Sequence, residues 1–267
     1  MSARTFPWLW RPAAALLAAA GLTLASSAPT VAETVVKGPA KVVVSGHLAP
    51  KALPRRGQAP VSVTLEGRIS ATHRGALPQL RHLSFAINSH GHLDLSGLPV
   101  CRVGHIQPST NQEALEACGP SLVGTGEFAA NVKLPEQSPF PSKGKMLAFN
   151  GRLRGRPAIF AHIYGTQPAS ISYTLPFTVT HTRGTYGLLL EANLPQVAGE
   201  WGNITRVSMT LGRTYRSQGR THSYLSAGCP APAGFKGGSF PLTRTSFDFA
   251  GGLSLGTTLS RSCEVAG

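Results

Sequence analysis

The stretch PAIFAHIYGTQPASISYTLPFTVTHTRGTYGLLLEANL (157–194) decides the fold class, because it holds four strand-like runs in one short piece of chain. The runs are PAIFAHIY (157–164), SISYTL (170–175), FTVTH (177–181) and YGLLLEANL (186–194). They are rich in β-branched and aromatic residues, a composition typical of strands. A turn at residues 182–185, which includes Gly184, separates the last two runs. The stretch therefore predicts a series of short antiparallel strands.

The same pattern extends in both directions from this stretch. Further strand-like runs are VSVTL (61–65), LSFAI (83–87), VSMTL (207–211), SFDF (246–249) and LSLGTTL (253–259). Asn150-Gly151 is a strong signal for a two-residue hairpin, and Ser217–Gly219 marks another turn. The chain has 30 Gly and 21 Pro but only 13% charged residues, a turn-rich composition that favours many strands over long helices. Residues 60–267 are therefore predicted to form an all-β domain, an antiparallel β-sandwich.

One short helix is predicted between Cys101 and Cys118. Thr110 and Glu113 have the spacing of a capping box, in which each residue's side chain bonds the other's backbone N–H. Residues 112–117 are good helix formers, and Gly119-Pro120 ends the helix.

The N-terminal residues predict export. Residues 1–32 carry Arg4 and Arg11, then the apolar run AAALLAAAGLTLA (13–25), then small residues, which is the pattern of a cleavable signal peptide. Cleavage is expected after Ala32, or alternatively after Ala25. No later run is apolar for long enough to predict a transmembrane helix. Residues 33–59 are interpreted as a leader or linker, in which KVVVSGH (41–47) forms one strand and the Pro-rich, basic remainder is loosely held.

The four cysteines predict disulfide bonds, because an exported chain with an even cysteine count meets an oxidising environment. Four cysteines allow three pairings, and the two sequence-local pairs, Cys101–Cys118 and Cys229–Cys263, are favoured. A zinc site is the rival interpretation, but the chain lacks the close Cys-x₂-Cys pair typical of structural zinc sites.

The chain is strongly basic, with a formal net charge of +14. Such a charge favours anionic surfaces. Arg152 and Arg154 lie beside the predicted Asn-Gly turn, and Arg213 and Arg216 lie near the predicted 217–219 turn. If the two turns are neighbours, these four arginines form a site for an anionic cell-envelope polymer. The alternative is a solvated surface with dispersed charge. Nucleic acid is not expected as a partner, because no nucleic-acid-binding module is recognisable.

A metal site is the sharpest catalytic hypothesis. His90, His92 and Asp94 would share one face of a strand, with His105 as a further candidate ligand. The spacing is similar to the start of the His-x-His-x-Asp-His motif of metallo-β-lactamase-type hydrolases, but Leu95 replaces the last histidine. Exposed turn histidines are the competing interpretation and the preferred one, so no metal or other cofactor is predicted.

Other enzymatic signals are weak. A carboxylate pair of the glycosidase type could come from distant strands, and the candidate acids are Glu66, Glu127, Glu191, Glu200 and Asp248. Each acid is instead expected to balance a nearby arginine. Trp201 could stack on a sugar ring or anchor a loop.

Several segments together resemble a group of exported bacterial proteins of unknown function. They are GLPVC (97–101), ACGPSLVGTGEF (117–128), AFNG (148–151), YLSAGCPAP (224–232) and SRSC (260–263). The resemblance covers residues 60–263 and implies export and a β-rich fold, but no activity. The sequence thus predicts a secreted, non-enzymatic β-sandwich module that associates with anionic envelope components. The alternative is an extracytoplasmic hydrolase with a His/Asp metal site or a carboxylate pair. Neither of these two interpretations indicates an oligomeric state.

Overall fold

The computed structural model describes residues 32–73, 76–133, 136, 138–166, 170–194 and 202–267. The predicted signal peptide lies outside the described residues, apart from Ala32. The strands are β1 (Glu33–Lys37), β2 (Ala40–Ala49), β3 (Ala52–Leu53), β4 (Ala59–Pro60), β5 (Ser62–Ala71), β6 (Leu80–Asn88), β7 (Gly91–Leu93), β8 (Leu122–Val132), β9 (Phe140–Leu153), β10 (Arg156–Gly165), β11 (Ile171–His181), β12 (Tyr186–Asn193), β13 (Gly202–Leu211), β14 (Thr214–Ser217), β15 (Arg220–Ser223), β16 (Leu225–Ala227), β17 (Gly237–Phe249) and β18 (Ser254–Val265). One α-helix, α1 (Asn111–Cys118), is present in the described part of the chain.

Thirteen of the strands form one continuous sheet, in the order β1-β2-β5-β13-β8-β9-β10-β11-β12-β6-β17-β18-β3. Its pairs are antiparallel except for β3 with β18, which is parallel. The predicted all-β class is confirmed, and the arrangement is not clearly the predicted sandwich. A sandwich places two sheets face to face, whereas the main sheet here is one ladder that curls into a half-barrel as the natural twist of its strands accumulates.

The curl brings the two ends of the sheet against each other. Arg261 Nε on β18 donates to Gly46 O on β2 at 2.6 Å. Nearby, Lys37 Nζ at the end of β1 donates to Ser254 O on β18 at 3.3 Å. These bonds from side chain to backbone join the β1–β2 end of the sheet to β18.

Within residues 33–59, predicted as a leader or linker with one strand, three strands of the large sheet are present, which are β1, β2 and β3. Strand β2 pairs along its whole length with β5, so the strand predicted at 41–47 is confirmed and longer than expected. Ala40, Val42 and Val44 are at most 2% exposed, because apolar residues at alternate positions of a strand share the face that packs against the core. The Pro-rich part is also fixed, since the Arg55 guanidinium donates to the carbonyl oxygens of Ala231, Pro232 and Phe235.

The hairpin predicted at Asn150-Gly151 is wrong. Both residues lie inside β9, and the turn between β9 and β10 is formed by Arg154 and Gly155, with φ of 50° and 80°. Asn150 is buried, and its Nδ2 is satisfied by donating to Pro99 O at 2.9 Å. At Gly151, a Cβ would come within 2.4 Å of the Phe160 ring. Both residues therefore serve packing inside the strand rather than a turn.

Two runs predicted as separate strands, 170–175 and 177–181, are one strand, β11. Pro176 lies between them and is aligned with Phe160 of β10. The turns predicted at 182–185 and 217–219 are confirmed, and the second joins β14 to β15 with positive φ at Gln218 and Gly219. The antiparallel pairing of β11 with β10 thus continues without interruption through Pro176.

Helix α1 and both favoured disulfides are confirmed. Glu113 N donates to Thr110 Oγ1 at 3.2 Å and Thr110 N donates to Glu113 Oε2 at 2.7 Å, which is the predicted capping box. The Cys101–Cys118 bond closes the segment that carries α1, which we call the excursion. The Cys229–Cys263 bond joins the segment before β17 to the end of β18. The excursion packs its apolar side chains on the outer face of β9 and β10.

The two ends of the curled sheet differ. Because neighbours are antiparallel, strands β6, β9, β11 and β13 all finish at one end. We call this the capped end, since a small three-stranded sheet of β4, β16 and β7 and the hairpin β14–β15 follow there. Both disulfides lie at this end, near the finish of β9 and of β18. The opposite end is where β5, β8, β10 and β12 finish.

Candidate binding cavity

The concave side of the curled sheet encloses an apolar cavity. The space open to the centre of a water-sized sphere measures about 190 Å³. Side chains from the strands on either side line it, among them Leu65, Phe85, Phe177, Leu190, Val207 and Met209. These residues alternate along their strands with outward-facing ones, as the period of a strand requires.

The walls of the cavity are apolar, and part of them is only half-buried. Leu65, Phe177 and Val207 face the interior, yet each is half-buried rather than buried. The buried apolar residues form five separate clusters rather than one. A single domain usually has one contiguous core with small satellites. These three side chains therefore pack against a cluster on one side and border the cavity on the other.

Gly67 marks the open space most directly. It lies on β5, lines the cavity, and is aligned with Val44 and Val207 on the neighbouring strands. A Cβ added there would meet no atom within 4 Å. Glycine inside a strand weakens it and often marks a place where another group approaches closely. At Gly67, no other group of the described chain makes such a close approach.

The mouth of the cavity lies at the capped end. Of the described residues that line the cavity, His90 and His92 are the exposed ones. His90 occupies the turn between β6 and β7, and its backbone oxygen accepts from Gly228 N at 3.2 Å. His92 lies on β7, aligned with Ser226 of β16. The lining deeper inside is almost entirely apolar.

Asn88 holds the His90 side chain in place. Asn88 Nδ2 donates to Pro241 O at 2.9 Å, which turns Oδ1 toward His90. The His90 backbone N–H and Nδ1 lie 2.9 and 3.0 Å from that oxygen. Because an amide oxygen only accepts, Nδ1 carries the hydrogen, and Nε2 is the ring nitrogen left for another partner.

The residues considered for a metal site do not converge. Asp94 Oδ2 lies 2.9 Å from His222 Nδ1, a partner that the sequence pattern did not indicate. Ser96 N donates to the other carboxylate oxygen at 2.8 Å. Burial acts to raise the pKa of Asp94, but the bonds from His222 and Ser96 lower it below its ordinary value. His105 lies in the turn before α1, and the part of the chain described here has no group of three or more His, Cys, Asp or Glu side chains that could hold a metal ion.

The four candidate arginines have different environments. Arg213 Nη1 donates to Pro120 O at 2.6 Å and to Leu122 O at 2.8 Å, so this side chain anchors the chain after α1. Arg152, Arg154 and Arg216 are exposed. Arg152 lies in the last two residues of β9, Arg154 follows that strand, and Arg216 follows the end of β13, so all three lie at the capped end.

Three of the candidate acids are engaged with basic side chains. Glu66 Oε1 lies 3.0 Å from both Arg68 and Arg206. Asp248 and Glu191 lie on either side of His82, at 3.0 and 3.8 Å. The Ser254 hydroxyl and His82 lower the pKa of Asp248, although partial burial opposes them. Glu200 and Trp201 lie outside the described residues.

The sequence pattern predicted the strands that line the cavity, but it did not predict the cavity itself. An alternating apolar pattern shows which side chains face inward, whereas the space between them depends on how far the sheet curls. Gly67, in the middle of a strand, was the available signal.

Comparison with protein-family models, with curated proteins and with solved structures finds no match to this chain. Within the described ranges, no helix has the length and apolar character needed to cross a membrane.

Proposed function

We propose that this chain is an exported, non-enzymatic binding protein that holds an apolar molecule inside its curled sheet. The observation that carries the proposal is the unfilled apolar interior around Gly67, where half-buried side chains face open space. A contiguous apolar surface exposed in this way is typical of a ligand site. An engineered apolar cavity of about 150 Å³ binds benzene, and this cavity is larger. Transfer of an apolar ligand from water to such walls is favourable in proportion to the area covered.

Export and the absence of catalysis are part of the proposal. The signal-like residues 1–32 support export, and two disulfides fit an oxidising compartment. A catalytic site needs convergent polar groups in a concave pocket. The cavity wall instead carries few polar groups, and Asp94 is bonded to His222.

A neutral fluorescent probe such as N-phenyl-1-naphthylamine tests the proposal, since its emission rises in apolar surroundings. We expect saturable binding of about one probe per chain. Gly67→Leu places a side chain in the cavity, starting from a Cβ that meets no atom within 4 Å, so it should weaken binding by about tenfold or more. Thermal stability should not fall, because Leu replaces a flexible glycine.

Gly104→Leu is the matched control, since Gly104 also has open space around it but does not line the cavity. If the parent protein fails to bind the probe saturably, or if both variants bind it as well as the parent, the proposal is wrong.

Association with an anionic envelope surface is a second candidate function. The observation that favours it is that exposed Arg152, Arg154 and Arg216 all lie at the capped end. Guanidinium groups bind phosphates and carboxylates through paired hydrogen bonds. Salt screens such contacts over about 8 Å at physiological ionic strength, so retention on anionic vesicles should weaken as salt is added.

The triple variant Arg152→Gln, Arg154→Gln, Arg216→Gln should lose this retention. Its control replaces Lys41, Lys143 and Lys145 by Gln, because these exposed lysines lie toward the opposite end. Arg213 is left unchanged because it anchors the backbone. Equal losses in both variants would show that bulk charge alone acts.

A further inference from the structure

The mouth of the cavity has a chemistry different from its interior. The interior is apolar, whereas His90 and His92 are exposed where the cavity reaches the surface at the capped end. A ligand that is apolar along its whole length would make no use of two polar rings at this position. A molecule with an apolar chain and one polar head would match both parts.

The orientation of His90 indicates which head group fits. Its Nδ1 donates to Asn88 Oδ1 at 3.0 Å, and Asn88 is fixed in turn by its bond to Pro241 O. Nε2 is therefore the ring nitrogen free to meet a ligand. In an imidazolium this nitrogen is a donor with positive charge, so an anionic oxygen at the mouth would receive a charge-assisted hydrogen bond from it.

Three exposed cations lie at the same end of the molecule as the mouth. Arg152, Arg154 and Arg216 are exposed at the capped end, so the potential there favours a negative head group. Asp94, which follows β7, accepts from Ser96 N–H at one carboxylate oxygen and lies 2.9 Å from His222 Nδ1 at the other. Both of its carboxylate oxygens are therefore already engaged.

We propose that the ligand is a single-chain anionic amphiphile, whose hydrocarbon chain fills the cavity and whose carboxylate or phosphate head lies at His90 and His92. This inference rests on the proposed function and names its ligand class. Fatty acids and monoalkyl phosphates share the required chemistry.

Competition against the bound fluorescent probe separates the alternatives. The competitors are dodecanoate, dodecyl phosphate and dodecanol, which have the same chain and differ in the head. We expect at least one of the two anions to displace the probe about tenfold more effectively than dodecanol does. Which anion is stronger distinguishes a carboxylate ligand from a phosphate ligand.

The double variant His90→Gln, His92→Gln should remove this preference of the anions over dodecanol. The matched control is His47→Gln, His181→Gln, because both histidines are exposed and neither lines the cavity. If the three competitors bind equally in the parent, or if the preference survives in the mouth variant, the inference is wrong even though the cavity binds the probe. Absence of probe binding would instead defeat the proposed function itself.

Discussion

The two faces of strands β9 and β10 are both apolar and buried, but they are covered in different ways. On the outer face, Phe149 and Phe160 are 0% exposed because the excursion that carries α1 and the Cys101–Cys118 disulfide packs on them. On the inner face, Ala148 and Ile159 are 1% and 5% exposed, yet they line the cavity together with half-buried side chains of other strands. The difference teaches that burial alone does not show a filled core. An element of the chain covers the outer face, whereas the inner face borders the cavity.

Truncation of matched aromatic residues on the two sides should give the largest effect. Phe160→Ala removes a fully buried ring from under the excursion, so the free energy of unfolding should fall by about 3–5 kcal/mol. Phe177→Ala removes a ring that already borders the cavity, and its cost should be less than half of that. Denaturant unfolding of both variants measures the difference. Equal costs would mean that the inner face is as tightly packed as the outer one.

Removal of the Cys101–Cys118 bond should have the next largest effect. The bond closes a loop with a sequence separation of 17, for which chain entropy predicts a stabilisation of about 3 kcal/mol. The double variant Cys101→Ser, Cys118→Ser should also raise hydrogen exchange in residues 98–121, while the probe still binds in the cavity. Loss of probe binding in a folded variant would show that the two faces depend on each other.

Protonation of His162 should have the smallest effect, and it acts on the covered face alone. His162 is 0% exposed, and its Nε2 has no hydrogen-bond partner among the described residues. Burial lowers the pKa of His162 below its ordinary value near 6.5, although backbone groups of Thr110 and Ile106 act in the opposite direction. The unfolded chain therefore takes up the proton first as pH falls, so stability is lost below about pH 6.5 with a slope of up to about 1.4 kcal/mol per pH unit.

Chemical denaturation between about pH 5 and pH 7 measures this slope. His162→Leu, which has no titratable group, should flatten it. The lowered pKa values of Asp94 and Asp248 affect stability only at more acidic pH, since carboxylates lose their native bonds as pH falls through the folded-state pKa. A variant that keeps the parent slope would place its origin at another group.

Local features of this chain could be predicted from sequence, and long-range ones could not. The capping box at Thr110 and Glu113 and the two disulfides depend on residues close in sequence, and all were confirmed. Asn150-Gly151 looked like a turn because the pair's usual role is local, whereas its role here depends on Pro99 and on the Phe160 ring.

The cavity could not be predicted from the sequence for a similar reason. The curl that separates the inner faces arises from pairings such as β5 with β13 and β6 with β17, which join distant parts of the chain. Arg213 shows the same limit, because a charge pattern does not reveal that a guanidinium bonds to the carbonyl oxygens of residues 120 and 122.

The meeting of the two sheet ends bears on how copies of this protein behave when concentrated. An open sheet offers unpaired backbone groups along its outermost strands, and another chain can add to them in an amyloid-like way. Here β1 has five residues and β3 only two, and the Lys37 and Arg261 bonds hold the β1–β2 margin against β18. The molecule thus turns its own edges toward each other, which protects a large sheet from edge-to-edge aggregation.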